Sequence, residues 1–304
     1  MQKIKAVIKN IFSPYFYGHK IFETKSDYNN IKVVDKKGYR YLIFDDPHFI
    51  NTYPEEIYQS CLYLKDPVET PATYAYYFHL AFSLKPDLKK VLMIGLGCGL
   101  IPLQFLHKYS IEEFHAVEID AEVVKTAKKY FKLPQDKRFQ TFVQDGRDFI
   151  ENNKRKYHLL ILDAFFARSL PFPLFTRQFF TQVKNSITED GILTLNVNGA
   201  FTGRKSKLFH SLYKTIKESF SYISLFAAKS KRPEELQNII IYAFQEKNLV
   251  EEGIQNLGEE KLNALYTDKV NTKDVEAFDD NMGLSELDIY GQFTPEKNNK
   301  GVTQ

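Results

Sequence analysis

Residues 91–99, VLMIGLGCG, together with residues 116–120, AVEID, decide how this chain is read. The apolar run 91–94 predicts a buried strand. It stops at three glycines spaced two apart, Gly95, Gly97 and Gly99, with Leu96 and Cys98 between them. A helix-like stretch follows, then a second short apolar strand that ends in an acid, Glu118, with Ile119 next to it. Glycine lets a backbone turn sharply and come close to a ligand, and the following helix presents its N-terminus to the same point. An acid closing the second strand is placed to accept hydrogen bonds from both hydroxyls of a ribose. The pattern predicts a βαβ unit that binds an adenosine-containing small molecule. A GxGxG run says little by itself; the strand before it, the helix after it and the acid 19 positions beyond Gly99 supply the weight.

Outward from this unit, strands and helices alternate from about residue 90 to 244, as in a wound parallel sheet. The expected strands are 91–94, 114–118, 139–143, 158–163 and 192–197, and the expected helices 100–108, 121–130, 176–186 and 205–219. Two further β-like runs, 222–227 and 238–244, have no strong helix between them and predict an antiparallel hairpin that completes the sheet. Five parallel strands plus such a hairpin resembles the seven-stranded, Rossmann-like α/β sheet of methyltransferase type. The expected organisation is an N-terminal segment at 1–20, a small β domain at 21–70, the Rossmann-like domain at 71–245, and a polar C-terminal tail at 246–304. Within the β domain, 31–34 and 39–44 flank a turn-forming Asp35-Lys36-Lys37-Gly38 and predict a hairpin. A helix over 73–84 leads into the glycine-rich strand. The last dozen residues read as disordered, and Asp279-Asp280-Asn281, with apolar neighbours on both sides, as a piece that folds back on the domain.

Composition narrows the function classes. A net charge of +3, with lysines spread along the chain, gives no case for a nucleic-acid partner. No apolar run approaches the roughly 20 residues that span a bilayer. The basic start MQKIKAVIKNIF lacks the continuous apolar core and cleavage site of a secretory signal, although it could lie on a membrane surface as a short amphipathic helix. The two cysteines, Cys61 and Cys98, form no CxxC, which excludes a disulfide framework and fits a reducing cytoplasm. The seven histidines show no ligand spacing, so no metal is expected. Neither a nucleophile elbow nor a phosphate-binding GxxxxGK[ST] loop occurs.

Two more segments bear chemistry. Gln144-Asp145-Gly146-Arg147 closes the third strand, where Asp145 can accept from an adenine amino group, cap the next helix, or do both. Leu162-Asp163-Ala164-Phe165-Phe166 closes the fourth strand and delivers one carboxylate, Asp163, to the rim beside the glycine loop. Such an acid can orient an amine and take its proton, or simply cap the strand end. Attack on a carbon beside a sulfonium needs in-line positioning and a deprotonated amine more than electrostatic help, because the positive charge disappears in the transition state.

The ordered segments YNNIKVVDKKGYRYLIFDD, Gln59, VLMIGLGCG, AVEID, QDGRDFI, LLILDAF and ITEDGILTLNV resemble the spermidine synthase, or polyamine aminopropyltransferase, family over about residues 23–244. The resemblance implies a donor site in which Glu118 binds ribose, Asp145 and Gly146 bind adenine, and Gln59 meets the thioether side. It implies Asp163 as the acid–base residue and Tyr74, or a neighbour, in the acceptor channel. It also implies an amine acceptor, small molecule or protein, and a homodimer. Two departures stand out. Spermidine synthases read GGGDG in the glycine loop, and that Asp holds the propylamine end of decarboxylated adenosylmethionine; here the position is Cys98. Their loop after the catalytic Asp brings a second Asp for putrescine; here Phe166 lies near that position with Arg168 close by, which argues against a diamine. The pattern is similar to a divergent branch whose members include methyltransferases, although Met93 stands where many ordinary methyltransferases carry an acid. Aminopropyl transfer from decarboxylated adenosylmethionine and methyl transfer from intact S-adenosylmethionine both stay open. So do an inactive adenosyl-binding protein and, less well supported, a nicotinamide-dependent reductase, which leaves QDGR and LDAF unexplained.

Overall fold

The structure is a computed structural model and describes residues 18–44, 58–70, 74–164, 170–246, 257–282 and 293–294. Four antiparallel strands form the N-terminal sheet: β1 (His19–Lys25), β2 (Asn30–Lys36), β3 (Tyr39–Phe44) and β4 (Ser60–Tyr63), in the order β1-β2-β3-β4. The expected hairpin is β2–β3, paired from Ile31↔Phe44 to Lys36↔Tyr39. Its sequence alternates so that Ile31, Val33 and Leu42 are buried against the main domain.

The second sheet is assembled from β5 (Lys90–Ile94), β6 (Glu113–Glu118), β7 (Phe139–Val143), β8 (Tyr157–Leu162), β10 (Ile187–Gly199), β11 (Tyr222–Ala227), β12 (Gln237–Phe244) and the short β13 (Leu265–Tyr266). Its order is β13-β11-β12-β10-β8-β5-β6-β7. Strands β10, β8, β5, β6 and β7 run parallel. The hairpin strand β12 lies antiparallel between β10 and β11. This is the expected methyltransferase-type arrangement with one addition. Residues 265–266, from the segment read as a polar tail, supply an eighth strand on the β11 edge.

Both faces of the sheet are covered, so central strands read as continuous apolar runs. In β8, Leu159 and Ile161 enter one core and Leu160 and Leu162 the other, all fully buried. Each such side chain stabilises the fold by about 1.5–3 kcal/mol before entropy is counted. Helices follow the 3.6-residue period. In α3 (Ala121–Tyr130), Val123, Val124 and Ala127 face the sheet, and the Asp120 side chain caps the N-terminus by accepting from the Glu122 N–H. In α6 (Lys207–Ser219), Leu208, Leu212 and Ile216 are buried. Helices α2 (Leu100–Lys108), α4 (Gly146–Asn152) and α5 (Arg177–Ser186) complete the wound core. Among the described residues, no helix is long and apolar enough to cross a membrane.

The helix expected over 73–84 is different. Thr73 lies outside the described residues. Residues Ala75–His79 form a 3-10 turn, and only α1 (Leu80–Leu84) is α-helical. Aromatic residues are indifferent helix formers, and the Tyr242 hydroxyl of β12 donates to the Tyr77 carbonyl at 2.5 Å, which pins this turn to the sheet. The C-terminal segment is folded where it is described. A short α7 (Glu259–Leu262) precedes β13, and Phe278 is fully buried and T-stacked on Phe172. The expected folding back of 279–281 takes the form of ion pairs. Asp280 binds Arg147 through both carboxylate oxygens, at 2.7 and 2.6 Å, and Asp279 pairs with Arg177. Further along, β14 (Phe293–Thr294) pairs in parallel with β9 (Leu170–Pro171). The disorder expected for the last dozen residues does not hold at 293–294, which form this strand, and residues 295–304 lie outside the described residues.

Candidate active site

The chain runs outward from β5 through β6 to β7, then returns to place β8 on the other side of β5. The carboxyl ends of β5 and β8 therefore diverge at a switch point, the usual ligand crevice of a wound sheet. Gly95 and Asp163 end these two strands. Their approach is so close that a Cβ on Gly95 would lie 2.2 Å from the Asp163 carbonyl oxygen, and Gly95 has φ +89°. Only glycine satisfies both conditions.

The glycine loop is pinned from two directions. Glu118, at the end of β6, accepts from the Leu96 N–H through Oε2 at 2.9 Å and from the Asp120 N–H through Oε1 at 3.1 Å. Burial pushes its carboxyl up to about 7, against the pull of these backbone donors. From the N-terminal sheet, the Ser60 hydroxyl accepts from the Cys98 N–H at 2.7 Å, and a Cβ on Gly97 would meet it at 2.8 Å. The Cys98 side chain turns away from the loop's open side. It is fully buried, its thiol donates to the Cys61 carbonyl at 3.6 Å, and burial pushes its pKa up to about 11. Cys98 thus offers the loop a backbone N–H already taken by Ser60, together with a neutral thiol out of contact with solvent. Gln59 directly precedes Ser60, its own N–H donating to Leu42 of β3.

Asp163 sits in a hydrogen-bonded row. Its Oδ2 accepts from the Tyr74 hydroxyl at 3.4 Å and its Oδ1 from the Asn196 side-chain amide at 3.2 Å. Asn196 Oδ1 in turn accepts from the Asn238 amide at 3.0 Å. Burial raises the Asp163 carboxyl to about 6, with Asn196 and Tyr74 pulling the other way. Burial, with the nearby Asp163 charge, holds the Tyr74 phenol well above its usual range. The row therefore contains a carboxylate that is ionised at neutral pH and still basic enough to receive a proton.

Asp145 is the N-cap of α4. Its Oδ1 accepts from the N–H groups of Arg147 at 2.7 Å and Asp148 at 3.3 Å. Gly146 packs on the end of β5, where a Cβ would lie 2.5 Å from Ile94. Beside Ile119, the segment 119–122 and the turn at 25–28 line an open cavity of about 530 Å³. Of the residues predicted for the acceptor side, Tyr74 reaches Asp163, whereas Phe166 and Arg168 lie outside the described residues. The sequence reading did not single out Ser60, Asn196 or Asn238. The available signal was an asparagine in each of two mostly apolar stretches, LTLNV and QNIII, within strands, where that residue type is depleted.

Comparison with known proteins identifies the family of the chain. The spermine/spermidine synthase domain matches residues 74–253. A polyamine aminopropyltransferase of Vibrio vulnificus is 28% identical over 86% of this chain and 84% of its own length. One from Saccharolobus solfataricus is 30% identical over 70% of this chain and 69% of its own. The crystal structure of a probable spermidine synthase from Corynebacterium glutamicum superposes with a TM-score of 0.69, covering 86% of this chain and 97% of that one. Its 15% identity makes that a likeness of fold. By the extent of the domain match and the similarity to the Saccharolobus relative, this chain belongs to the spermine/spermidine synthase family of transferases.

Proposed function

We propose that this chain transfers an aminopropyl group from decarboxylated adenosylmethionine to an amine nitrogen, with Asp163 receiving the proton that the amine gives up. The observation that carries the reading is the placement of Asp163. A carboxylate raised to about 6, held by Tyr74 and Asn196, ends β8 against the glycine loop. The names of the relatives, polyamine aminopropyltransferases, support the group transferred.

In this reading Glu118 uses its remaining lone pairs on the two ribose hydroxyls. Gly95, Leu96 and Gly97 let the loop come close to the adenosyl group, and Ile119 packs on the base. Asp145 offers Oδ2 to the adenine amino group while Oδ1 stays on the helix cap, and Gly146 lets the turn approach the ring. Gln59 lies on the thioether side. Tyr74 borders the acceptor, with Phe166 and Arg168 in the acceptor loop. An ammonium acceptor loses a proton to Asp163, and its lone pair attacks the propyl carbon next to sulfur. The C–S bond breaks with its electrons going to sulfur, so methylthioadenosine leaves as a neutral thioether. Bringing the amine in line and deprotonated is the protein's main contribution.

One observation favours a second reading, methyl transfer from intact adenosylmethionine. The position that holds the donor's ammonium in spermidine synthases is the buried neutral thiol of Cys98. In either case Asp163→Asn keeps the affinity for methylthioadenosine and lowers transfer by about 10²–10⁴. Unchanged turnover would remove Asp163 from the mechanism.

A further inference from the structure

Strands β10 and β11 both run antiparallel to β12, and β10 runs parallel to β8. The loops that follow β10 and β11 therefore emerge at the sheet edge where β8 ends in Asp163. Both loops are basic. Residues 200–206, AFTGRKS, and 228–236, AKSKRPEEL, hold five Lys or Arg against two Glu, a net +3 that equals the charge of the whole chain. Arg232 pairs with Glu235 at 2.9 Å. Arg204, Lys205, Lys229 and Lys231 are exposed, and none of the four forms an ion pair among the described residues.

The two loops are tied into one platform. The Phe201 and Thr202 N–H groups both donate to the Pro233 carbonyl, at 2.7 and 3.0 Å. Gln237, 3% exposed, holds the start of the second loop. Its Oε1 accepts from the Lys229 and Ser230 N–H groups at 3.1 and 2.8 Å, and its NH2 donates to the Ser230 carbonyl at 2.9 Å. Those backbone partners fix which way the amide faces. The platform also meets the row that ends at Asp163. The Ala228 N–H donates to the Asn238 carbonyl at 3.0 Å, and the Asn238 side chain donates to Asn196. Lys229 is thus the next residue after the one bonded to the far end of the row.

Charge sorts what such an edge admits. Unpaired cations repel the second ammonium of a diamine and attract an anion, over a range of about 8 Å at physiological salt. Beyond Asp163 the row offers a distal cation only the amides of Asn196 and Asn238, which carry no charge. We propose that the amine acceptor bears an acidic group, a carboxylate or a phosphate, at the end away from its nitrogen. Arg204, Lys205, Lys229 and Lys231 receive that group while the amine faces Asp163. The proposal rests on the reading that the amine binds at Asp163, and it names the class of acceptor which that reading leaves open.

The test is calorimetry on the full chain saturated with methylthioadenosine, using four probes of one length: hexylamine, 1,6-diaminohexane, 6-aminohexanoate and 6-aminohexyl phosphate. In about 20 mM salt the two acidic amines should bind at least about fivefold more tightly than hexylamine, and the diamine more weakly than it. Whichever acidic amine binds more tightly identifies the acid. Lys229→Glu/Lys231→Glu should weaken the acidic probes by about tenfold and tighten the diamine, both changes shrinking in about 0.5 M salt. Lys137→Glu/Lys154→Glu makes the same change of net charge on exposed residues that precede β7 and β8, at the opposite end of the sheet, and should keep the parent's order. A parent that binds the diamine most tightly, an order that Lys229→Glu/Lys231→Glu leaves unchanged, or no binding of any probe would overturn the proposal. Binding needs no turnover, so the two readings fail separately. If the acidic amines bind in this order and none is aminopropylated, the basic edge stands and the proposed function fails. If transfer occurs and favours the diamine, the proposed function stands and the acidic acceptor fails.

Discussion

Replacing Asp163 by Asn should make the free protein more stable at pH 8 than the parent. The unfolded chain ionises this carboxyl near its ordinary value of ~3.9, whereas burial in the fold raises it to about 6. Between those values the native state still holds a proton that the unfolded state has released. Stability therefore falls as pH rises through the window and stays lower above it. A gap of two units corresponds to about 3 kcal/mol as a ceiling, reached only if no residual burial survives in the unfolded chain. The replacement amide fits the same contacts. Its oxygen can take the Asn196 NH2 and its NH2 can donate to the Tyr74 oxygen, so the row loses no hydrogen bond. A gain of about 1–3 kcal/mol at pH 8 is expected, shrinking toward zero near pH 4. Urea unfolding of both proteins at pH 4, 6 and 8 reads the difference directly. Glu118 titrates in both proteins and cancels. A variant no more stable than the parent at pH 8, or a gain that does not change with pH, would refute the claim that Asp163 is held ionised at the fold's expense.

Other outcomes follow from the same contacts. Glu118→Gln loses the charge aimed at the ribose hydroxyls and should weaken methylthioadenosine binding by at least tenfold in calorimetry, with the fold retained. Gly95→Ala puts a methyl group 2.2 Å from the Asp163 carbonyl oxygen at φ +89°, and should cost more than about 3 kcal/mol in urea unfolding. Asp280→Ala leaves the half-buried Arg147 with Glu151 as its remaining ion-pair partner and should lower stability by about 1–2 kcal/mol, read as a drop of a few degrees in Tm.

The parts of the fold legible in the sequence were those written in local pattern. VLMIGLGCG, HLLIL and the Asp145 cap each state their structure within a few residues. The helices at 100–108 and 121–130 have the expected ends. Contacts made across the chain were harder to read. Ser60 reaches the Cys98 N–H from another sheet, 38 positions away, and nothing near Ser60 announces it. Asn196 and Asn238 are 42 positions apart and became meaningful only when β12 was laid against β10. The segment at 75–79 is a 3-10 turn where the sequence predicts an α-helix, and the hydroxyl that bonds its Tyr77 carbonyl comes from β12, far along the chain. The tail's polar composition concealed β13 and Phe278, since one buried aromatic and a two-residue strand barely alter an average. The site followed the same division. Glu118, Asp145 and Asp163 end strands and could be placed by counting, whereas the groups that orient Asp163 could not.

The most direct test of the central claim is to incubate the purified chain with decarboxylated adenosylmethionine and a panel of primary amines, and to follow methylthioadenosine release and the mass of the acceptor. The account predicts amine-dependent methylthioadenosine and an acceptor heavier by one aminopropyl group, with Asp163→Asn nearly silent. No methylthioadenosine with any amine, alongside adenosylhomocysteine and a methylated acceptor when intact adenosylmethionine is supplied, would contradict aminopropyl transfer and assign the site to methyl chemistry.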